Sequence, residues 1–261
     1  MKFDELDARM RVYETAHDHC VLPGIYMVAR LDGRGFTRLT KEVYKFEAPY
    51  DEKFRDYMVE TVEHLMNVGL YVIYAYTQSD EISLLFDLEE STFNRKLRKL
   101  NSVLAGEASG KLSLLLGGIA CFDCRICQLP NLEDVAVYFR WRHEDAHRNA
   151  LNSHAYWCLR REGNSARQAT KMLDKVSFAQ KNELLFQREI NFNDIPNWQK
   201  RGVGLYWEKY QKTGVNPLTG EQVQTTRKRI RRDMELPMKD EYSRFVRELV
   251  GTRGPSFEFL A

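Results

Sequence analysis

The sequence predicts an α+β fold: an antiparallel sheet with the order β-α-β-β-α-β, extended C-terminally by helices and a β-hairpin. Three observations predict it. Apolar and β-branched runs that end near Leu31, Tyr76, Phe86 and Ile126 read as strands. Stretches with helical apolar spacing separate the first from the second and the third from the fourth. Only the polar tetrad Thr77-Gln-Ser-Asp80 joins the middle two, which makes them a hairpin.

The elements follow in order. Residues 1–22 suit a helix with a polar face bearing Glu5, Asp7, Arg9 and Arg11. A strand over about 24–31 runs into Asp32 and Gly33. The stretch 38–49 reads as irregular and ends at Pro49. From Asp51 to Asn67, Phe54, Met58, Val62 and Leu65 recur at helical spacing, with Asp51 as N-cap and Gly69 as stop. Strands 70–76 and 81–86 then carry Asp80 and Glu81 at their joint. A long helix runs from Phe93 to about Leu115, and Gly117-Gly118 ends it. A fourth strand covers 119–126. Helices follow over about 131–161 and 164–187. Strands 202–210 and 225–232 flank the turn Asn216-Pro-Leu-Thr-Gly220. This is the split βαβ, ferredoxin-like order, with residues 1–130 as core and 131–261 as an extension packed on it.

With 43% hydrophobic and 29% charged residues, the chain is globular and not disordered. No apolar run approaches the roughly 18 residues of a membrane span, and the acidic N-terminus is unlike a signal peptide. A cytoplasmic location with reduced cysteines is the expectation. A net charge of +2 confines any nucleic-acid surface to a local patch.

Chemistry concentrates at Asp32. The predicted topology brings the end of the first strand beside the tip of the hairpin, so Asp32 and Asp80 become neighbours, with Glu81 behind. Two carboxylates and the Gly33 carbonyl suit hard divalent cations that also hold phosphate oxygens. Two ordinary Asp turns are the bland alternative. Gly33-Arg34-Gly35-Phe36, with Ser79, offers backbone N–H groups for a phosphate but matches no standard phosphate-loop spacing. Arg95, Lys96 and Lys99 at a helix start fit a triphosphate clamp or a solvated face. Cys121, Cys124 and Cys127 sit in a strand, where residues three apart face opposite ways, which argues against a metal site. His143-Glu-Asp-Ala-His147 formally matches a zinc-protease pattern without a third ligand, and contacts to RNA or nucleotide are the better reading. Thr225-Thr-Arg227-Lys228-Arg229-Ile-Arg-Arg232 suits either a phosphate backbone or a solvated face.

Five blocks then carry a resemblance. Ala29-Arg-Leu-Asp-Gly-Arg-Gly-Phe36, Thr77-Gln-Ser-Asp-Glu81, Phe122-Asp-x-Arg125, Trp141-Arg142-x3-Ala146-His147 and Gln180-Lys-Asn-Glu-Leu-Leu-Phe186 resemble the tRNA(His) guanylyltransferase family. They keep the family's order over about residues 25–207. The resemblance implies a polymerase/cyclase palm. It implies two Mg2+ ions at Asp32, the Gly33 carbonyl and Asp80, with Asp32, Asp80 and Glu81 catalytic. It implies nucleotide binding by Asp32 through Thr37, Ser79, Asp80 and Lys99, and RNA contact by Lys181; the basic run adds Arg227, Lys228 and Arg229 as RNA-binding candidates. GTP and ATP are the implied substrates, and tRNA, at its 5′ end and acceptor stem, is the implied partner. A homo-oligomer is expected, a tetramer by family precedent.

Departures sharpen this. Eukaryotic members carry His-Ile-Asn-Asn-Leu-Tyr-Asn where this chain has His147-Arg-Asn-Ala-Leu-Asn-Ser153. They place histidine at Thr37, lysine at Ala48 and glycine at Thr77. The chain is more similar to the bacterial and archaeal guanylyltransferase-like proteins. That implies template-dependent 3′–5′ addition to 5′-truncated tRNA, with ATP activating 5′-monophosphate ends. Non-templated addition of one G, a palm-fold nucleotide cyclase and a non-catalytic RNA-binding module are the alternatives.

Overall fold

In the computed structural model, which describes residues 2–215 and 222–251, one antiparallel sheet organises the chain. Its strands are β1 (Tyr26–Gly33), β2 (Val72–Gln78), β3 (Glu81–Phe86), β4 (Phe122–Leu129), β5 (Val203–Val215) and β6 (Gln222–Asp233). Their order across the sheet is β4-β1-β3-β2-β5-β6. The first four thus adopt the expected βαββαβ arrangement. The extension is not merely packed on the core, because β5 pairs with β2 and lengthens the same sheet. The expected turn at 216–220 lies outside the described residues.

The helices are α1 (Phe3–Thr15), α2 (Phe36–Arg38), α3 (Glu52–Leu65), α4 (Leu97–Leu116), α5 (Leu132–Arg161), α6 (Ala166–Leu173), α7 (Phe178–Phe186), α8 (Asn197–Arg201) and α9 (Lys239–Gly251). Local chemistry sets their starts. The Asp51 carboxylate accepts from the Phe54 N–H at 2.9 Å, which satisfies a donor left over by the first turn of α3. Asn131 caps α5 in the same way, at 2.8 Å from the Asp134 N–H. Ser165 with Gln168, and Ser177 with Gln180, form capping boxes on α6 and α7.

Each sheet face buries a separate core. Met27, Ala29 and Leu31 of β1 pack against Met58, Val62 and Leu65 of α3 and Leu104 and Ala108 of α4. Val28, Tyr74, Tyr76 and Leu85 face α5 and α9, meeting Val135, Phe139, Tyr242 and Val246. Alternation along β1 divides its residues between these cores. A third cluster, around Leu151, Leu159, Leu173, Leu185 and Phe192, fastens α6 and α7 to the second half of α5. Among the described residues no helix is long and apolar enough to cross a membrane.

Two local readings change. Thr77 and Gln78 belong to β2, so the hairpin turn is Ser79-Asp80 alone. The stretch 38–49 opens with a π-helical turn, Leu39–Val43, instead of being irregular throughout.

Phe139 is fully buried, with its ring centroid 5.0 Å from that of Tyr74. Phe139→Ala is expected to lower stability by about 3–5 kcal/mol, read from the urea unfolding midpoint.

Candidate active site

The carboxylate corner is built by strand register. Asp32 is the penultimate residue of β1 and pairs with Glu81 on one side and Asp123 on the other. Gln78 lies opposite Glu81 across the next strand. Directly opposed residues share a sheet face, so Asp123, Asp32, Glu81 and Gln78 form one row. Asp80 closes the corner from the hairpin tip, where its carbonyl accepts the Gly33 N–H at 3.1 Å. Asp32 and Asp80, 48 positions apart in sequence, therefore meet as the sequence reading expects.

Strain and close packing shape the corner. Ser79 holds φ at 54°, in the left-handed region that disfavours a side chain by roughly 1–2 kcal/mol. Its hydroxyl donates to Asp80 Oδ1 at 3.0 Å. Gly33 is needed for packing, because a Cβ there would stand 2.5 Å from the ring of buried Phe36.

Electrostatics favour a cation here. Burial, reinforced by the Asp32 and Glu81 charges and opposed by hydrogen bonds from its own backbone and Ser79, pushes the Asp80 carboxyl up to about 6. Burial and the Glu81 charge raise Asp32 as well, Asp123 adds to this, and Arg30 and Arg125 oppose it. Arg30 is the buried counter-charge, only 4% exposed, ion-paired to Glu81 and 3.9 Å from Asp32. Among the described residues no three His, Cys, Asp or Glu side chains converge as a cage. Two crowded carboxylates and a backbone carbonyl are instead a donor set that fits Mg2+, which keeps water and phosphate oxygens among its ligands.

Beside the corner lies a cleft of about 710 Å³. Thr37, Ser79 and Asp80 line it from the core, and Ser153, Tyr156, Trp157 and Arg160 from α5. Tyr50 and Trp198 meet edge to face, with ring centroids 6.3 Å apart, on its wall. Gln78 donates to the Gln199 carbonyl at 2.8 Å, tying α8 to the corner.

Several expected site residues are placed differently. The N–H groups of Gly33 and Arg34 donate to the Asp80 and Cys121 carbonyls, so neither is left to cradle phosphate. Phe36 is 3% exposed, packed on Phe54 and Phe122. Gly35, at φ 72°, starts α2, and Thr37 borders the cleft. Two of the three cations at the basic helix start are engaged within the fold. Arg95 is buried and donates to the Leu88 and Glu90 carbonyls, while Lys96 and Arg98 pair with Asp18. Lys99 follows in α4, whose first turn is anchored to His19 and, through Arg95, to the Ile25 carbonyl. Ile25 precedes β1, so this end lies roughly 23 Å from Asp32 at about 3.3 Å per strand residue.

His143, 1% exposed, stacks on Tyr242 with centroids 4.4 Å apart, so it contacts neither RNA nor nucleotide. Burial pushes its imidazole down to about 3. His147 stacks on Phe178 of α7, one turn before Lys181. Cys124 joins the α3–α4 core and Cys127 the α5–α9 core, on opposite sheet faces. Arg227, Lys228 and Arg229 are exposed on β6. Lys228 pairs with Lys209, Arg227 with Tyr210, and Arg229 is bound to Glu208. Because β5 starts at Thr77 and runs away from the hairpin tip, Arg227 stands roughly 23 Å from that level.

Arg30 and the aromatic cleft wall had no role in the sequence reading. Arg30 is detectable as the one cation in an apolar run, two residues from Asp32 and so on its face. Tyr156, Trp157 and Arg160 share one stretch of α5, but nothing local shows that it reaches the corner.

Two family models cover the chain: "tRNAHis guanylyltransferase" over residues 7–130 and "Thg1 C terminal domain" over residues 133–243. The chain belongs to the tRNA(His) guanylyltransferase family. Family members are nucleotidyltransferases that act in tRNA processing, and this chain is an enzyme of that class. It is 33% identical to a probable tRNA(His) guanylyltransferase of Drosophila melanogaster, across 72% of this chain and 69% of that one. It is 30% identical to the Debaryomyces hansenii tRNA(His) guanylyltransferase, across 86% and 89%. A bacterial tRNA(His) guanylyltransferase-like protein in complex with GTP superposes with a TM-score of 0.72 at 28% identity, covering 95% of this chain and 99% of that one. The ATP complex of such a protein gives 0.72 at 27%, covering 94% and 99%.

The Asp80 carboxyl binds protons more readily in the fold than in the unfolded chain, where its value is about 3.9. Its stabilising contribution is therefore complete below about 3.9 and lost as pH rises through about 6. Asp80→Asn is expected to raise the melting temperature of metal-free protein at pH 8 and to change it little at pH 4. Melts in chelator at both pH values check this, and a lower melting temperature at pH 8 contradicts it.

Proposed function

We propose that the chain adds nucleotides in the 3′–5′ direction to the 5′ end of tRNA, directed by the opposing strand, on a polymerase-like palm. The observation that carries this is the pair Asp32 and Asp80, held at adjoining strand ends, with Asp80 lining a cleft large enough for a nucleotide. The likeness to proteins in complex with GTP and with ATP supports both as substrates.

Asp32, Asp80 and the Gly33 carbonyl would hold two Mg2+ ions, which supply charge neutralisation at phosphate and activation of an attacking hydroxyl. The protein's own groups do the rest. Ser79 orients the Asp80 carboxylate through its hydroxyl. Arg30 holds Glu81, which makes Glu81 a positioning residue and keeps a third negative charge from pressing on Asp32 unopposed. Tyr50 and Trp198 give the base an aromatic wall. A 5′-monophosphate end is adenylylated by ATP with loss of pyrophosphate. The 3′-hydroxyl of the incoming nucleotide then displaces AMP. A 5′-triphosphate end skips the first step.

The acceptor stem is the partner that reaches the rest of the protein. Arg227 and Lys228 lie far enough from the corner to need an extended polyanion, and Lys209 directly opposite Lys228 concentrates positive charge on the ribbon. A cyclase acting on a free nucleotide gives such a ribbon no task. Lys181 on α7 adds a second contact. Lys99, remote from Asp32 of its own chain, has no place in this scheme. Homo-oligomerisation and the division at residue 130 belong to the same proposal.

The test is incubation with a 5′-truncated tRNA, magnesium and each nucleoside triphosphate in turn. Extension that follows the opposing strand is expected. A single G on every template means non-templated transfer, and cyclisation of nucleotide without extension overturns the proposal. Asp32→Ala should abolish addition without lowering the melting temperature. Arg227→Ala should weaken tRNA binding and reduce the slope of log affinity against log salt by about 1, as loss of one phosphate contact requires.

A further inference from the structure

The cleft has a cationic side that the carboxylate corner does not explain. Lys41 and Arg160 both line it, one from the π-helical turn Leu39–Val43 and one from the last turn of α5. They flank the same indole: Lys41 Nζ is 6.0 Å and Arg160 Cζ 5.7 Å from the Trp157 ring centroid. Their hydrogen-bond partners are neutral oxygens. Lys41 donates to the Glu47 and Pro49 carbonyls at 2.7 and 3.2 Å. Arg160 donates to the Tyr156 hydroxyl at 3.0 Å.

Both have donors to spare. An ammonium carries three N–H bonds, and two are used. The Arg160 Nε is buried without a hydrogen-bond partner. The guanidinium keeps terminal N–H bonds for an oxyanion in the cleft it lines, where charge-assisted hydrogen bonds are strong. Burial lowers the Lys41 ammonium, although Asp51 and Glu47 oppose this, so its charge is poorly solvated. A π-helical turn, which aims Lys41 inward here, is a distortion common at functional sites. Arg55, a third cation on the wall, differs. It bonds to Asp56 at 2.9 Å and lies 4.6 Å over the Trp198 ring. Past Tyr156 and Ala166 the cleft meets an open groove bearing Arg167 and Lys171, so positive charge continues outward.

We infer that Lys41 and Arg160 form a phosphate clamp on the Trp157 wall of the cleft. Its ligand is a phosphate group carried either by a nucleoside triphosphate or by the 5′ end of an RNA. The clamp rests on reading the cleft as the nucleotide and RNA-end site. That reading fails separately, when wild-type protein adds no nucleotide to truncated tRNA, because the clamp is tested by binding without turnover.

Wild type, Lys41→Met, Lys41→Arg and Arg160→Gln are titrated calorimetrically in chelator. The probes are GTP, guanosine, and an acceptor-stem duplex with a 5′-phosphate or a 5′-hydroxyl. Lys41→Met and Arg160→Gln are expected to lose about tenfold in affinity for a phosphate-bearing probe and nothing for its phosphate-free counterpart. Lys41→Arg should retain affinity. A loss confined to GTP makes the nucleotide the source, and a loss confined to 5′-phosphorylated duplex makes it the RNA end. If Lys41→Met fails to fold after losing its two carbonyl contacts, Arg160→Gln decides alone. Unchanged ratios of GTP to guanosine and of 5′-phosphate to 5′-hydroxyl duplex overturn the clamp.

Discussion

Asp32 sits between two other carboxylates, and the register of β1 puts it there. Glu81 and Asp123 oppose it on the neighbouring strands. Two unit charges about 5 Å apart repel by roughly 3 kcal/mol at an effective dielectric constant near 20. Solvent at half-exposed Asp32 reduces this, and buried Arg30 offsets more of it. The arrangement persists because slipping β1 by one residue would turn Asp32 and Arg30 into the α3–α4 core and bring Leu31 out of it. The apolar alternation thus enforces a polar conflict at the strand end. A cation, or a proton on one of these carboxylates, relieves what Arg30 and Arg125 leave. That residual charge is what the proposed cation would neutralise.

The cleft divides its tasks between the two parts of the chain. The corner comes entirely from β1, β3 and the hairpin tip. The opposite wall comes from α5, which begins beside the other end of β1 and presents Tyr156, Trp157 and Arg160 in the last part of its 30 residues. Its first half is fixed on the sheet by Val135 and Phe139. Its second half is held by α6 and α7 through Leu151, Leu159 and Leu185. Meanwhile β5 covers the edge that β2 would otherwise expose. The extension is therefore structural for the sheet and constitutive for the cleft.

How much of this was readable in the residues depends on range. The core strands, α3, α4 and the meeting of Asp32 with Asp80 follow from period-two and helical patterns along short segments. The pairing of β5 with β2 spans more than 100 residues and has no local signature. Arg95 and Lys96 look like surface cations in sequence, yet they satisfy carbonyls and Asp18, because charge pattern does not encode burial. His143 looked available for the same reason and is sealed under Tyr242. Thr77 and Gln78 read as turn because they are polar. The left-handed Ser79 compresses the turn to two residues and leaves them in the strand.

A net charge of +2 conceals a segregation that matters more than the total. Negative charge gathers at the corner, and positive charge on the cleft wall and along the ribbon of β5 and β6. At physiological salt, exposed charges more than about 8 Å apart are largely screened from one another. Arg227, roughly 23 Å away along the ribbon, therefore leaves the protonation of Asp80 unaffected. In the proposed function it acts on the bound RNA alone. Arg30, in ion-pair contact, and any phosphate drawn into the cleft act on the corner directly. In the proposed reaction, binding of the RNA body and chemistry at its end are thus electrostatically separable, and one sheet couples them by carrying both Arg227 and the carboxylates.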